Sequence, residues 1–365
     1  MQDSRETRAR TKAAGIKDIA HALGVSIGTV DRALHQRPGI NPMTRARVLK
    51  MVQTLGYRPN VAARHLKLNK KLAISVHLPK EIASFFDALR EGVEEAAAPF
   101  QSSIELQFRT YPRLGEGDID LFAKALEEKT NGIILAPGHP ADLKPWIRKA
   151  ARNHVPVICV ATDAPGTERL STVSIDSYTS GAVVAELLTR CARRPGEILV
   201  VTGDLSTEDH AEKVRGLREF LAKLNSPLEA AVVLEAHDDA SRAYAMTREA
   251  LALRPNLSAV YVGTAISEPV LRAMGDAGSL SKMLVITTDL CPSLIPLIRS
   301  GKVLATIYQR PKAQGRMAFR SLYQFLVEGT CPPLRHRLPA HVILQSNLDF
   351  FLEMQTADLE GAVSS

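Results

Sequence analysis

Cysteine is scarce in this sequence, and the few cysteines lie far apart. Cys159, Cys191, Cys291 and Cys331 are the only four among 365 residues, and no two of them form a CxxC pair. These spacings exclude a dense disulfide framework and the usual zinc motifs, and they fit a reducing compartment. We therefore expect a protein without a bound metal or other cofactor.

Long apolar runs are also missing. No stretch approaches the ~20 apolar residues that a membrane-spanning helix needs. Residues 1–20 lack the apolar segment of a secretory signal. Both absences predict a cytoplasmic protein that has no membrane partner.

Several enzyme motifs are absent as well. The sequence contains no G-x-G-x-x-G after an apolar strand and no G-x-x-x-x-G-K-[ST]. Their absence disfavours a dinucleotide-binding enzyme and a P-loop nucleotide-binding protein. It contains no G-x-S-x-G and no H-E-x-x-H, which disfavours hydrolases and metalloproteases. We expect that the protein is not an enzyme.

Charge is divided unequally along the chain. Residues 1–71 contain 15 basic and 4 acidic side chains, a net charge of +11, whereas the remainder contains 31 basic and 35 acidic side chains, a net charge of −4. A basic segment joined to a mildly acidic body indicates a nucleic-acid-binding head on a second functional domain. A merely solubilising tail is the alternative that charge alone leaves open.

The basic segment has the pattern of a helix–turn–helix domain over residues 15–57, after a polar arm at residues 1–14 that we expect to be disordered. Gly24 and the small Ala20 permit the close helix crossing of that motif. The apolar spacing predicts three helices, over Ile16–Leu23, Ile27–Leu34 and about Pro42–Leu55.

The second of these helices is the candidate recognition helix, because in this motif it enters the major groove of DNA. Its first turns present five residues outward, which we interpret as DNA-binding: Ser26, Ile27, Gly28, Thr29 and Arg32. The double-stranded operator DNA is therefore the first expected partner.

The unbroken run from Ile16 to Leu66 closely resembles the LacI/GalR family of bacterial transcription regulators. The resemblance implies a hinge helix and linker over residues 58–71, with Leu66 as a minor-groove wedge. We interpret Asn60, Ala63 and Leu66 of this segment as DNA-binding residues. Two positions depart from the family pattern. Gly28 offers no side chain to a base, and Asp31 replaces a serine with a carboxylate that repels phosphate.

The body, residues 72–365, alternates apolar strands with amphipathic helices. Nine strand candidates in tandem βα units favour two doubly wound lobes with parallel sheets over a single sheet. The resemblance extends loosely over residues 72–350 and implies a sugar-sensor core with the periplasmic-binding-protein-like type I fold. We place the first lobe at about 72–174 and 310–337, and the second at about 175–309 and 338–352.

Candidate ligand-binding residues follow the strands, because open α/β sheets bind ligands at the carboxyl ends of their strands. Aromatic residues make up only 5% of the chain, so the adjacent Phe85 and Phe86 in such a loop stand out as stacking surfaces for a sugar. Asp163, Asp289 and Gln309 also follow strands and can hydrogen-bond to hydroxyl groups.

The resemblance also implies that the loop and helix after Gly203 supply an arginine to the sugar. Aligned on Gly216, that position is Ala211, and the adjacent His210 is the substitute candidate. The family's usual asparagine is likewise absent, and Thr264, Ala265 and Ser267 occupy that region.

Together these features predict a homodimeric transcription repressor that binds a near-palindromic operator and responds to a small sugar or sugar derivative. A solute-binding protein without DNA function is the first alternative, but it would require an export signal. A sugar-modifying enzyme is the second, and turnover of a bound sugar would reveal it.

Overall fold

The computed structural model describes residues 16–34, 39–55 and 71–363. The predicted arm at residues 1–14, and Asn60, Ala63 and Leu66 of the predicted hinge, lie outside the described residues. A small unit contains residues 1–70 together with residues 323–331, and a large unit contains residues 71–322 and 332–365.

The small unit contains the three predicted helices, which are confirmed: α1 (Ile16–Leu23), α2 (Ile27–Leu34) and α3 (Pro42–Thr54). Their core is formed by Ile19, Ala20, Val30, Ala33 and Val48, which are buried. Gly24 has a φ of 63° in the turn between α1 and α2, a conformation that glycine adopts without strain.

The large unit contains two six-stranded sheets, which define its two lobes. In the first lobe the strand order is β11-β5-β4-β3-β1-β2. Its strands are β1 (Leu72–Pro79), β2 (Ile104–Tyr111), β3 (Gly132–Leu135), β4 (Val157–Val160), β5 (Ser171–Ile175) and β11 (Arg335–Leu338). All pairings in this sheet are parallel.

In the second lobe the order is β12-β10-β9-β8-β6-β7. Its strands are β6 (Gly196–Thr202), β7 (Leu228–Glu235), β8 (Leu257–Val262), β9 (Leu284–Thr288), β10 (Ala305–Tyr308) and β12 (His341–Leu344). The edge strand β12 pairs antiparallel with β10, and the other pairings are parallel.

The helices of the large unit alternate with these strands. They are α4 (Ala83–Ala97), α5 (Asp118–Glu127), α6 (Pro140–Arg152), α7 (Ser177–Cys191), α8 (Glu208–Lys223), α9 (Ala240–Leu253), α10 (Ser267–Asp276), α11 (Ile295–Arg299), α12 (Pro311–Glu328) and α13 (Leu348–Val363). The prediction of two doubly wound lobes is confirmed.

Three strands and one helix were not expected. The strand β5 is short and rich in serine and threonine, and β11 at the sheet edge has three consecutive basic residues followed by a leucine, so neither has an apolar run. The strand β12 and the helix α13 follow them near the C-terminus. The chain passes between the lobes three times, after β5, after β10 and between β11 and β12.

Two pairs of helices pack so closely that their backbones are in contact, and glycine residues at the crossing points permit this approach. A Cβ atom on Gly92 of α4 would lie 2.0 Å from the carbonyl oxygen of Lys312, and one on Gly315 of α12 would lie 2.0 Å from that of Leu89. Gly181 of α7 and Gly216 of α8 form an equivalent pair. The helices α4 and α8, which carry cleft residues described below, are therefore fixed against α12 and α7.

Candidate functional site

The carboxyl ends of the strands from both sheets meet at a pocket between the lobes. It holds about 400 Å³ of space free of protein atoms, part of it open to solvent. The first lobe contributes Ile82, Phe85, Phe86, Leu114, Ala161 and Thr162. The second lobe contributes Asp209, His210, Lys213, Asp238, Thr264 and Ala265, and Gln309 follows β10 where the chain crosses between lobes.

Left-handed backbone conformations are concentrated around this pocket. Three lining residues, Ile82, Ala161 and Asp238, have φ values of 55°, 67° and 55°. Asp289, which is hydrogen-bonded to Gln309, and Arg310, which follows Gln309 in the chain, have φ values of 60° and 59°. A positive φ is strained for a β-branched residue such as Ile82. Strain of this kind clusters at functional sites, which supports a binding role for the pocket.

The aromatic wall of the pocket comes from the start of α4. Phe85 and Phe86 are both buried, and their ring centroids lie 5.0 Å apart with an interplanar angle of 80°. The edge-to-face arrangement is a favourable aromatic geometry. The structure thus brings both predicted phenylalanines into the pocket.

A buried ion pair from α8 forms part of the opposite wall. The side chain of Lys213 is 1% exposed, and its Nζ atom lies 3.1 Å from Asp209 Oδ2 and 3.2 Å from the carbonyl oxygen of Gly263. Burial is the largest influence and would lower the pKa of Lys213, but Asp209, Tyr261 and Asp289 together outweigh it, so the pKa is raised. The Lys213 ammonium and the Asp209 carboxylate both stay charged in this buried position because each compensates the charge of the other.

Sequence reasoning missed Lys213 and Asp209. The one available signal was their spacing of four residues near the start of a helix, which places them on the same helix face. On a helix as charged as α8, that spacing usually marks a solvent-exposed pair.

His210 also lines the pocket, as predicted, but its ring is hydrogen-bonded within the second lobe. Its Nδ1 atom lies 3.2 Å from the backbone N–H of Asp204, which donates to it. The Nε2 atom lies 3.7 Å from Asp209 Oδ2.

Asp289 lies behind the pocket and holds Gln309. The backbone N–H of Gln309 donates to Asp289 Oδ1 at 2.8 Å, and the side-chain amide Nε2 donates to Oδ2 at 2.6 Å. Burial raises the pKa of Asp289 to about 6, although these hydrogen bonds act in the opposite direction. Gln309 lines the pocket itself, whereas Asp289 positions it.

Asp163 follows β4 as expected but lines an adjoining pocket, which shares Thr162 and Asp209 with the pocket that contains Phe85. Its carboxylate accepts from Arg169 Nη2 at 2.7 Å and from the backbone N–H of Ala164 at 2.7 Å, and it also contacts Thr172. Arg335 of β11 lies 3.1 Å away. These partners join β4, β5 and β11 at the end of the first sheet.

The lobes contact each other at the mouth of the pocket. The backbone N–H of Asp209 lies 3.4 Å from Thr162 Oγ1, and His139 Nε2 lies 3.6 Å from Asp204 Oδ2. Both distances are long for a hydrogen bond and an ion pair, so these contacts are weak.

In the small unit, the predicted DNA-facing residues lie at the start of α2. Ile27 is 50% exposed, and Ser26 and Gly28 are exposed as well. The Ser26 hydroxyl accepts the backbone N–H of Thr29 at 3.1 Å, which caps the helix. Arg32 is half-buried, and its Nη1 atom lies 3.9 Å from the place where a Cβ on Gly28 would be. A Cβ at position 28 would therefore be in no more than ordinary van der Waals contact with Arg32.

Within residues 16–34, 39–55 and 71–363, every helix is too short or too polar to traverse a lipid bilayer. The same ranges contain no cluster of three His, Cys, Asp or Glu side chains arranged for a metal ion.

Comparison with known proteins agrees with both parts of the chain. Residues 74–330 match the family described as periplasmic binding protein domain, and residues 15–60 match bacterial regulatory proteins of the lacI family. Catabolite control protein A of Priestia megaterium is 26% identical over 250 residues, which cover 68% of this chain and 73% of that protein. The protein of the same name from Streptococcus mutans is 26% identical over 299 residues, with coverages of 81% and 84%.

Solved structures share the fold of the large unit. A glucose-galactose binding protein, GanP, from Geobacillus stearothermophilus has a TM-score of 0.71 at 21% identity, covering 76% of this chain and 99% of that one. A solute-binding protein from Burkholderia graminis, in complex with D-arabinose, has a TM-score of 0.71 at 20% identity, with coverages of 77% and 97%.

The chain therefore belongs to the periplasmic binding protein domain family, as its two-lobed fold and its interlobe pocket indicate. Because a lacI-family helix–turn–helix domain precedes that domain, the protein is a LacI-family transcription regulator. The resemblance seen in the sequence is confirmed.

Proposed function

We propose that this regulator is a cytoplasmic repressor that binds a near-palindromic operator as a homodimer and responds to a small carbohydrate-like effector in the interlobe pocket. One observation carries the proposal: the pocket combines an aromatic wall from the first lobe with polar groups from the second. A ligand that contacts both lobes favours one arrangement of them over another. Such a preference couples the pocket to DNA binding, and the coupling acts in both directions.

The proposed effector class is supported by the related folds. One of these structures is a glucose-galactose binding protein, and another is a solute-binding protein in complex with D-arabinose. The name of the two curated relatives, catabolite control protein A, supports a role in the control of carbon-source use. We assign no enzymatic step to the chain.

We propose roles for individual residues on the same basis. In the small unit, Ile27 and Arg32 read base edges, and Ser26, Gly28 and Thr29 set the approach of α2 to the groove. In the hinge, Asn60 and Ala63 support helix pairing, and Leu66 enters the minor groove.

In the pocket, Phe85 and Phe86 stack on the ligand, and His210 and Gln309 bind its hydroxyl groups while Asp289 orients Gln309. For Asp163 we propose that its bonds to Arg169 and Arg335 hold the end of the first sheet, rather than direct ligand contact.

Selection of binding sites from random duplexes, followed by titration, tests the DNA function. Affinity should fall with salt at a log–log slope of about −0.9 per neutralised phosphate. Removal of residues 1–70 should abolish operator binding and leave ligand binding intact. Operator binding by the truncated protein would contradict the assignment.

A thermal-shift screen of sugars, polyols and purines tests the effector function. A ligand at 100 times its dissociation constant should stabilise the protein by ~2.7 kcal/mol. A true effector must also change the affinity for the selected operator. A ligand that binds without any such change would contradict the regulatory role.

A further inference from the structure

The cationic group of the pocket is already paired. An ammonium group has three N–H donors, and two of those on Lys213 are engaged by Asp209 and by the carbonyl oxygen of Gly263. The charge of Lys213 is balanced by that of Asp209 at 3.1 Å. An incoming anion therefore meets no uncompensated positive charge on this wall.

The carboxylate of Asp238, by contrast, is uncompensated. Its Oδ1 atom accepts from Thr264 Oγ1 at 2.5 Å. Among the residues that the structure describes, no basic side chain forms an ion pair with Asp238, and Oδ2 accepts no hydrogen bond. Because the charges of Asp209 and Lys213 compensate each other, the Asp238 carboxylate adds a negative charge to the lining that no basic side chain of the described residues balances.

The amide of Gln309 presents a second free acceptor. Its Nε2 atom donates to Asp289, so the amide oxygen Oε1 is the atom left for a ligand. Within the described part of the chain, Oε1 accepts no hydrogen bond. The unsatisfied polar atoms of Asp238 and Gln309 are thus both acceptors, and they require a ligand that donates.

The chemistry of a matching ligand follows from these groups. Hydroxyl groups donate to carboxylate and amide oxygens, whereas phosphate and carboxylate groups at neutral pH are chiefly acceptors and carry charge. The aromatic wall of Phe85 and Phe86 suits the C–H face of a ring. Repulsion between an anion and Asp238 is poorly screened in a partly buried pocket.

We infer that the effector is an uncharged polyhydroxylated molecule, such as a free sugar or a cyclic polyol, and that Asp238 selects against phosphorylated sugars and sugar acids. The inference rests on the proposed function, because it concerns the effector pocket of that proposal.

The test uses matched pairs of compounds with the full-length protein. Calorimetric titration compares D-glucose, D-galactose, D-arabinose and myo-inositol with their monophosphate esters. At least one neutral compound should bind, and its ester should bind at least roughly a hundredfold more weakly. Asp238→Asn should weaken the neutral compound about tenfold and reduce the preference over its ester by at least tenfold.

Asp120→Asn is the matched control, because it removes the same charge from an exposed position on α5. It should leave both affinities unchanged. An ester that binds as tightly as its parent compound, or a panel in which no neutral compound binds, would overturn the inference. An unchanged preference in Asp238→Asn would remove Asp238 as the selecting residue.

Failure of the proposed function would look different. If a neutral compound binds with the expected preference but does not alter operator affinity in a gel-shift titration, the inference stands and the regulatory proposal fails. If an ester binds and alters operator affinity, the regulatory proposal stands and the inference fails.

Discussion

The carboxylate of Asp289 accepts two hydrogen bonds from Gln309, one from its backbone N–H at 2.8 Å and one from its side-chain amide at 2.6 Å. This contact fixes which end of the amide faces the pocket. It also links the end of β9 to the point where the chain leaves β10 for the other lobe.

Asp289→Ala should therefore weaken ligand binding by ~1–3 kcal/mol, because the Gln309 amide loses its charged partner. Operator affinity without ligand should remain normal, since the small unit is unchanged. Calorimetry and gel-shift titration measure the two quantities. Unchanged ligand affinity would remove Asp289 from the site, and lost operator binding would show that it is needed for folding.

The raised pKa of Asp289 predicts a pH-dependent stability. Burial raises its pKa from 3.8 to about 6, so the folded protein holds this proton more tightly than the unfolded chain. The resulting stabilisation is complete below about pH 4 and is lost as the pH rises through 6, by about 3 kcal/mol in total. The thermal midpoint of wild type relative to Asp289→Asn should fall over that range. A constant difference from pH 4 to 8 would contradict the assignment.

Arg32→Ala should reduce affinity for the selected operator by ~1–3 kcal/mol and relax specificity at one position. Arg32 is well suited to a guanine edge, and its guanidinium lies over Gly28 at the exposed start of α2. Arg47→Ala removes the same charge from the exposed face of α3 and serves as the control. Equal losses on specific and scrambled duplexes would show that Arg32 contacts only phosphate.

Leu66→Ala should reduce both affinity for DNA and bending of the operator, because a wedge must unstack a base step to kink the duplex. Fluorescence energy transfer across an end-labelled operator measures the bend. Equal bending by mutant and wild type would refute the wedge and favour packing of Leu66 against the protein.

Gly92→Ala should destabilise the large unit by ~1–3 kcal/mol or more, because the new Cβ would lie 2.0 Å from the carbonyl oxygen of Lys312 and the helices must separate. Gly275→Ala in α10 is the control, since no atom lies within 4 Å of its Cβ position. That change should stabilise the protein by roughly 0.5–1 kcal/mol. Similar melting temperatures for the two variants would contradict the close crossing.

The sequence predicted those parts of the fold that rest on local pattern. The helices of the small unit and the apolar strands follow from periodicity, and Phe85, Phe86 and Gln309 follow from the position of ligands at strand ends. The ion pair between Asp163 and Arg335 could not be predicted from the sequence, because Arg335 lies far along the chain and approaches Asp163 only when β11 pairs with β5. Lys213 was missed because only the tertiary fold buries the face of α8 that carries it.

During synthesis, β5 leaves the ribosome roughly 160 residues before β11, the strand that finally covers it. At ~5–20 residues per second, we expect the first sheet to expose β5 as an open edge for roughly 8–30 s. Open edges with apolar side chains invite aggregation. The serine and threonine residues of Ser171–Ile175, which hid this strand from the sequence pattern, make the nascent edge less apolar than β4, Val157–Val160, would be in its place.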